Sequence, residues 1–120
     1  MIELKRITPD CSDAEIAAEI NNEAFPPLEH IDLEDMFRMN EICDADLFGF
    51  YDGEKLVGFI WAVSNKRCVY IFLLAIAEQY RGRGYGTQAI QALFRFYSDK
   101  QVVLDFEEIG RAHVELQSRI

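Results

Sequence analysis

The sequence predicts an α/β domain built on one mixed sheet, and three observations carry that prediction. Apolar residues recur with helical spacing through residues 14–25, then give way to strand-like runs between residues 46 and 76. Residues 69–76 (V-Y-I-F-L-L-A-I) are almost wholly apolar, as expected of a central strand buried on both faces. A glycine-rich passage, a helical stretch and another strand follow, and that order implies a parallel, right-handed strand pair. The 120 residues make one domain with room for a real core.

Taken in order, residues 2–7 (I-E-L-K-R-I) alternate weakly and read as a first strand, which Thr8-Pro9-Asp10 breaks. Ser12 with Glu15 three residues later has the form of a capping box. The helix it opens carries Ala14, Ile16, Ala17, Ile20, Ala24 and Phe25, and Pro26-Pro27 stops it. A second helix starts near Asp32, with Leu33, Met36, Phe37 and Met39 on its buried side, and frays around residues 40–46. Residues 47–51 form a strand, Asp52-Gly53 a two-residue hairpin turn, and residues 56–63 the returning strand. Asn65-Lys66 makes the next turn, before the apolar strand 69–76. A helix over residues 85–98 follows, with Ala89, Ile90, Leu93, Phe94 and Tyr97 in one stripe, and residues 101–106 are the last strand.

Composition narrows the function classes. The net charge of −9 argues against a nucleic-acid partner, which needs a basic face. It suits a cationic substrate such as an amine, although an acidic surface also serves solubility alone. No apolar run approaches the roughly 20 residues needed to span a bilayer, and the first residues lack a signal-peptide pattern, so no membrane and a cytoplasmic location are expected. Cys11, Cys43 and Cys68 share no metal or redox spacing; they read as reduced structural thiols, and no metal is expected.

Against this acidic background the stretch 78–89 (E-Q-Y-R-G-R-G-Y-G-T-Q-A) stands out. Alternating glycines permit a tight turn and leave backbone N–H groups uncovered. The helix that follows adds unpaired N–H groups and the positive end of its dipole, which together make a phosphate or pyrophosphate cradle. Arg81 and Arg83 place positive charge beside it.

The order strand, two helices, three antiparallel strands, glycine loop, helix and parallel strand resembles the GNAT superfamily of N-acetyltransferases. Gln79-Tyr80-Arg81-Gly82-Arg83-Gly84 satisfies that family's signature Q/R-x-x-G-x-G/A in full. The resemblance runs from residue 1 to about residue 107 and implies the family's mixed sheet without its final helix and strand pair. It also implies that acetyl-CoA is the cosubstrate. N–H groups of Arg81, Gly82, Arg83, Gly84, Tyr85 and Gly86 would hold its pyrophosphate, and Thr87 could add a hydroxyl. Leu74, Ala75 and Ile76 would offer backbone groups to the pantetheine arm, which lies along the strand like an added neighbour. A competing reading exists. Gly84-x-Gly86-x-x-Ala89 fits a dinucleotide fingerprint, with Asp105 about 20 residues on. Residues 77–81 separate those glycines from their strand, and an antiparallel meander precedes them, so this reading ranks below the acyltransferase.

In the family an amine attacks the thioester carbonyl directly, and a carboxylate or water relay takes its proton. Two carboxylates are candidates for that base: Glu29, after the Phe25-Pro26-Pro27 break, and Glu107, at the end of the last strand. For each the competing reading is a solvated surface acid. The family's usual acid is a tyrosine on a later helix, and Tyr97 does not match it. Acetyl transfer to a primary amine is therefore the leading expectation. A non-catalytic acyl-CoA-binding module is second, and a dinucleotide-binding oxidoreductase third.

The tail breaks the pattern. Residues 109–114 are what ATC GGA AGA GCA CAC GTC, part of a common sequencing adapter, encodes; the loss of one T beyond it then yields Glu115-Leu116-Gln117-Ser118. The expectation is a partial domain over residues 1–108 and a non-native tail over 109–120. The apolar strand 101–106 would then present an open edge, a route to a homodimer.

Overall fold

Among the described residues five strands lie side by side in chain order: β1 (Ile2–Arg6), β2 (Ala45–Asp52), β3 (Lys55–Ser64), β4 (Cys68–Ile76) and β5 (Gln101–Leu104). Pairings β1–β2, β2–β3 and β3–β4 are antiparallel, and β4–β5 is parallel, so the mixed sheet expected from the sequence is present. The described residues also form three α-helices: α1 (Asp13–Ala24), α2 (Leu33–Ile42) and α3 (Tyr85–Phe96). The structure, a computed structural model, describes residues 2–25 and 31–104. Asp105, Glu107 and the whole tail 109–120 lie outside the described residues, as do Glu29 and His30.

The sheet separates two apolar layers. On one face α3 buries Ala89, Ile90, Ala92 and Leu93 against Phe48, Phe50, Ile60, Val69 and Ile71. On the other, α1 and α2 bury Ala17, Ile20, Leu33 and Met36 against Leu47, Phe59, Trp61 and Ala75. Alternation in β2 and β3 divides these side chains between the layers, as a sheet covered on both faces requires.

Several local expectations need correction. Ser12 is the N-cap of α1 but makes no side-chain cap bond. Its backbone is already helical (φ −63°, ψ −25°), whereas a capping hydroxyl acts from an extended residue. A tight turn leads into the helix instead, with Ala14 N–H donating to the Cys11 carbonyl at 3.0 Å. The β2–β3 hairpin turns on Gly53-Glu54, one residue later than expected, because Asp52 pairs with Lys55. Gly53 alone has a left-handed φ of +68°, which suits a two-residue turn with glycine first. Met39 is 42% exposed and Ile42 75% exposed. In that turn of α2 it is Asn40 that faces the sheet, accepting the Trp61 Nε1–H at 3.0 Å.

β4 departs most from expectation. Its register against β3 slips between Trp61 and Ala62, leaving Phe72 as the extra, bulged residue. Val69 and Ile71 face the α3 layer before the bulge; after it Leu74 and Ile76 do, while Leu73 and Ala75 face α1. Phe72 is 46% exposed and stacks with Tyr70 (4.7 Å between centroids) and Trp61 (5.4 Å), so the strand is not buried on both faces throughout. Pairing with β5 covers only Cys68–Ile71, and among the described residues the outer edge of 72–76 is open.

Candidate functional site

The open half of β4 and the glycine-rich passage meet in one cleft of about 560 Å³. Leu74, Ala75 and Ile76 line it, as do Arg81, Gly82, Gly84, Tyr85 and Gly86. Eight of the expected ligand-binding residues are thus together. Ala24 and Phe25, from the end of α1, and Tyr80 supply the remaining wall. Arg83 and Thr87 are not in the lining. Thr87 is exposed, and the Arg83 guanidinium lies over the Tyr80 ring, 5.7 Å from its centroid.

The direction of the β4 backbone follows from one hydrogen bond. Ala77 N–H donates to the Val57 carbonyl at 2.8 Å, and Ile76 is opposite Gly58. Successive residues of an antiparallel ladder turn their N–H and C=O groups alternately toward and away from the partner. Ala77, Ala75 and Leu73 therefore bond to β3, while Leu74 and Ile76 point their backbone groups at the cleft. Gly58 makes this close approach feasible: a Cβ there would stand 2.3 Å from the Ala75 carbonyl oxygen.

A single 3₁₀ turn, Glu78–Tyr80, carries the chain from β4 to the cradle. Its start is held from α1 by Glu23, whose Oε1 accepts the Glu78 N–H at 2.8 Å. Its end uses the Arg81 N–H, which donates to the Glu78 carbonyl at 3.2 Å. Arg81 therefore faces the cleft with its guanidinium and not with its amide. Gly82 (φ +78°) and Gly84 (φ +83°) are left-handed on either side of Arg83, whose φ is negative. Such alternation gathers successive N–H groups into an anion-binding concavity, and only glycine adopts those angles without strain. The first intrahelical bond of α3 is Gln88 N–H to the Gly84 carbonyl at 3.2 Å, so Tyr85, Gly86 and Thr87 keep N–H groups without helical acceptors.

Tyr85 anchors this helix start by donating its O–H to Asp52 Oδ2 at 2.5 Å. The hydrogen bond, ahead of burial and the charge of Asp52, holds the Tyr85 phenol above its ordinary pKa. Lys55 Nζ sits 5.5 Å from the Tyr80 centroid, so the hairpin adds a second cation to the ring that Arg83 also approaches. The cleft fits an extended anionic ligand: open backbone groups along one wall, uncovered N–H groups at one end, and no carboxylate among the described lining residues. A second groove of about 480 Å³ runs along α1, with Ile20, Leu56 and Ala77 in its floor and Glu19, Glu23 and Glu78 at its rim.

Tyr97 is the C-cap of α3, packs on Phe48 (6.2 Å) and Phe96 (4.9 Å), and is not among the cleft's lining residues. Glu29 and Glu107 lie outside the described residues. Sequence reasoning missed Tyr80, Ala24, Phe25, Glu23, Asp52 and Lys55 as parts of the site. Tyr80 occupies a free position of the motif and Phe25 precedes a proline pair, both readable cues. The contacts of Glu23 and Asp52 span 55 and 33 residues, for which one sequence holds no signal.

A mixed sheet whose fourth strand opens beside a left-handed glycine cradle defines an α/β domain of the acetyltransferase type. The model of the acetyltransferase (GNAT) family matches residues 14–115, and the chain belongs to that family. No curated protein matches it. Among solved structures, a Bacteroides thetaiotaomicron protein assigned to the GNAT family is similar with a TM-score of 0.79 and 24% identity; the alignment covers 91% of this chain and 62% of that one. A Thermus thermophilus acetyltransferase gives a TM-score of 0.67 and 22% identity over 87% of this chain and 75% of its own. A ribosomal-protein-alanine N-acetyltransferase from Brucella melitensis gives 0.68 and 16% over 92% and 83%. These likenesses establish the fold, and this chain spans under two thirds of the Bacteroides structure. No described helix is long and apolar enough to cross a membrane.

Proposed function

We propose that this protein is an N-acetyltransferase that moves an acetyl group from acetyl-CoA to a primary amine within a ternary complex. The observation that carries the reading is the shared cleft, in which an open strand edge leads straight into a glycine cradle. Outward groups of Leu74 and Ile76 suit the amides of a pantetheine arm laid along β4 as an added strand. N–H groups of Gly82 to Gly86 at the start of α3, with the Arg81 guanidinium, suit a pyrophosphate. Both features are needed by a ligand with an extended amide arm ending in a diphosphate, and a dinucleotide has no such arm.

In the reaction the amine nitrogen attacks the thioester carbonyl, the C–N bond forms, the C–S bond breaks and CoA leaves as its thiol. Backbone donors beyond Leu74 would polarise the carbonyl, so holding two substrates in line is the main catalytic contribution of the chain. The amine must lose a proton, and Glu29 and Glu107 are the proposed acceptors for it. An acidic surface of net charge −9 favours a cationic amine as the partner, and nucleic acid is not expected.

One observation favours a second reading, acyl-CoA binding without turnover: the described lining contains Tyr80, Arg81 and Tyr85 but no carboxylate or imidazole. Incubation with acetyl-CoA and a panel of primary amines, followed by thiol release, separates the two. Amine-dependent release that falls at least tenfold in Glu29→Gln or Glu107→Gln supports the transferase. Tight acetyl-CoA binding with no release above the buffer rate refutes turnover.

A further inference from the structure

We infer that Arg81 sets the point at which a bound ligand leaves the β4 edge and enters the glycine cradle. This inference rests on the acetyl-CoA reading above and assigns the residue that would measure the distance from amide to diphosphate. Arg81 Nε donates to the Ile76 carbonyl at 3.0 Å. That carbonyl is one of the few backbone groups turned toward the cleft, since Ile76 lies opposite Gly58 in a non-bonded position of the ladder. Among the described residues Leu74 keeps both its N–H and C=O open, whereas the Ile76 carbonyl already accepts one hydrogen bond from Arg81. A ligand pairing along β4 therefore finds a fully open partner at Leu74 and a crowded, already bonded carbonyl at Ile76, where pairing is weakened. Beyond this point the chain turns through Glu78–Tyr80 and returns as Arg81, Gly82 and Gly84 in the same lining.

The guanidinium thus bridges the two halves of the cleft. It closes the strand edge with Nε, and it has no carboxylate partner among the described residues, so its charge is available to an anion. A residue supplying charge alone would need no bond to the sheet. The bond pins the side chain at the junction, which pre-organises both subsites for ligands that carry an amide arm and a diphosphate together. Ligands with only one of the two parts gain nothing from that geometry. Arg81 is in this sense a positioning residue that determines selectivity.

Side-chain chemistry separates the two roles. Glutamine places its Nε2 the same number of bonds from Cα as the arginine Nε, so Arg81→Gln keeps the donor and loses the charge. Arg81→Lys keeps the charge and has no donor at that position, and Arg81→Met has neither. Titrating the full chain and these three variants with CoA and with ADP reads the ratio of the two affinities; ADP carries the diphosphate without the arm. Loss of charge weakens both ligands alike in Arg81→Gln and Arg81→Met. The expected ratio stays within about threefold of wild type in Arg81→Gln and falls about tenfold in Arg81→Met and Arg81→Lys, the size of one hydrogen bond to a charged group. Arg81 is exposed, so the four proteins are expected to melt together. A ratio preserved by Arg81→Lys and lost in Arg81→Gln refutes the positioning role alone. A wild-type chain that binds no CoA refutes the acetyl-CoA reading itself.

Discussion

Gly58→Ala tests how the structure holds the cleft open. A Cβ at residue 58 would lie 2.3 Å from the Ala75 carbonyl oxygen and 3.1 Å from Ile76 Cα, both backbone atoms. Ordinary contact begins at 3.4 Å, so one strand must move by 1.1 Å, the difference of the two distances. No rotamer change relieves this clash. A shift of that size also stretches the neighbouring 2.8 Å bond between Ala77 N–H and the Val57 carbonyl past hydrogen-bonding range. Overpacking costs about 1–3 kcal/mol and the weakened bond about 1 more, so the expected loss is about 2–4 kcal/mol. For a chain of this length that is a fall in Tm of roughly 8–16 °C. The displaced residues are Leu74–Ile76, so acetyl-CoA affinity should fall with stability. Urea denaturation and calorimetric titration measure both. The control is Gly49→Ala, whose nearest neighbours are side-chain atoms, Leu56 Cδ1 at 2.7 Å and Ile7 Cδ1 and the Tyr51 ring at 2.9 Å, and which should cost less because side chains yield more readily than backbone. Gly58→Ala within about 0.5 kcal/mol of wild type, with unchanged binding, would refute the ladder geometry assigned to β4.

Other outcomes follow from the same structure. Gly84→Ala meets no atom within 4 Å but must hold φ +83°; it should cost about 1–2 kcal/mol in urea denaturation and weaken acetyl-CoA more than about tenfold. Tyr85→Phe removes the bond to Asp52 and should raise the acetyl-CoA Kd about three- to tenfold with little change in Tm, read by titration. Asn21 is 1% exposed, donates Nδ2–H to the Ile31 carbonyl at 2.8 Å and leaves Oδ1 without a partner among the described residues. Asn21→Asp replaces the donor with a buried charge and should cost about 3–5 kcal/mol, whereas Asn21→Leu should cost under about 2, as denaturation midpoints will show. Burial first, and then the bond to Asp13, raises the Tyr51 phenol above its ordinary value of 10.0; burial likewise raises Tyr97 to about 12. Both groups stabilise the fold fully below pH 10, and the contribution fades as pH climbs above it, because the unfolded phenols ionise first. Urea midpoints should be flat from pH 8 to about 10 and then fall, less steeply in Tyr51→Phe.

Much of this architecture is legible in the residues themselves. Spacing and runs of apolar residues located the described strands and α-helices, because a covered sheet and amphipathic helices impose their pattern on apolar side chains. The cradle was legible for a different reason: positive φ at Gly82 and Gly84 demands glycine, and that demand is written in the sequence. The Phe72 bulge was not, since V-Y-I-F-L-L-A-I is uniformly apolar and shows no phase change. The bulge nevertheless decides which residues beyond it face the cleft. Arg81 was expected to offer its N–H, yet the 3₁₀ turn takes that group and leaves the guanidinium. Such roles depend on backbone direction, to which residue identity is blind. The anchors Glu23–Glu78 and Tyr85–Asp52 join distant segments and become visible only when the fold brings them together.

Calorimetric titration of the 120-residue chain with acetyl-CoA, beside NAD, tests the central claim most directly. The account predicts saturable one-to-one binding of acetyl-CoA in the micromolar range, weakened at least tenfold in Gly84→Ala, and no comparable binding of NAD. Binding of NAD in preference to acetyl-CoA, or acetyl-CoA binding indifferent to Gly84→Ala, would contradict it.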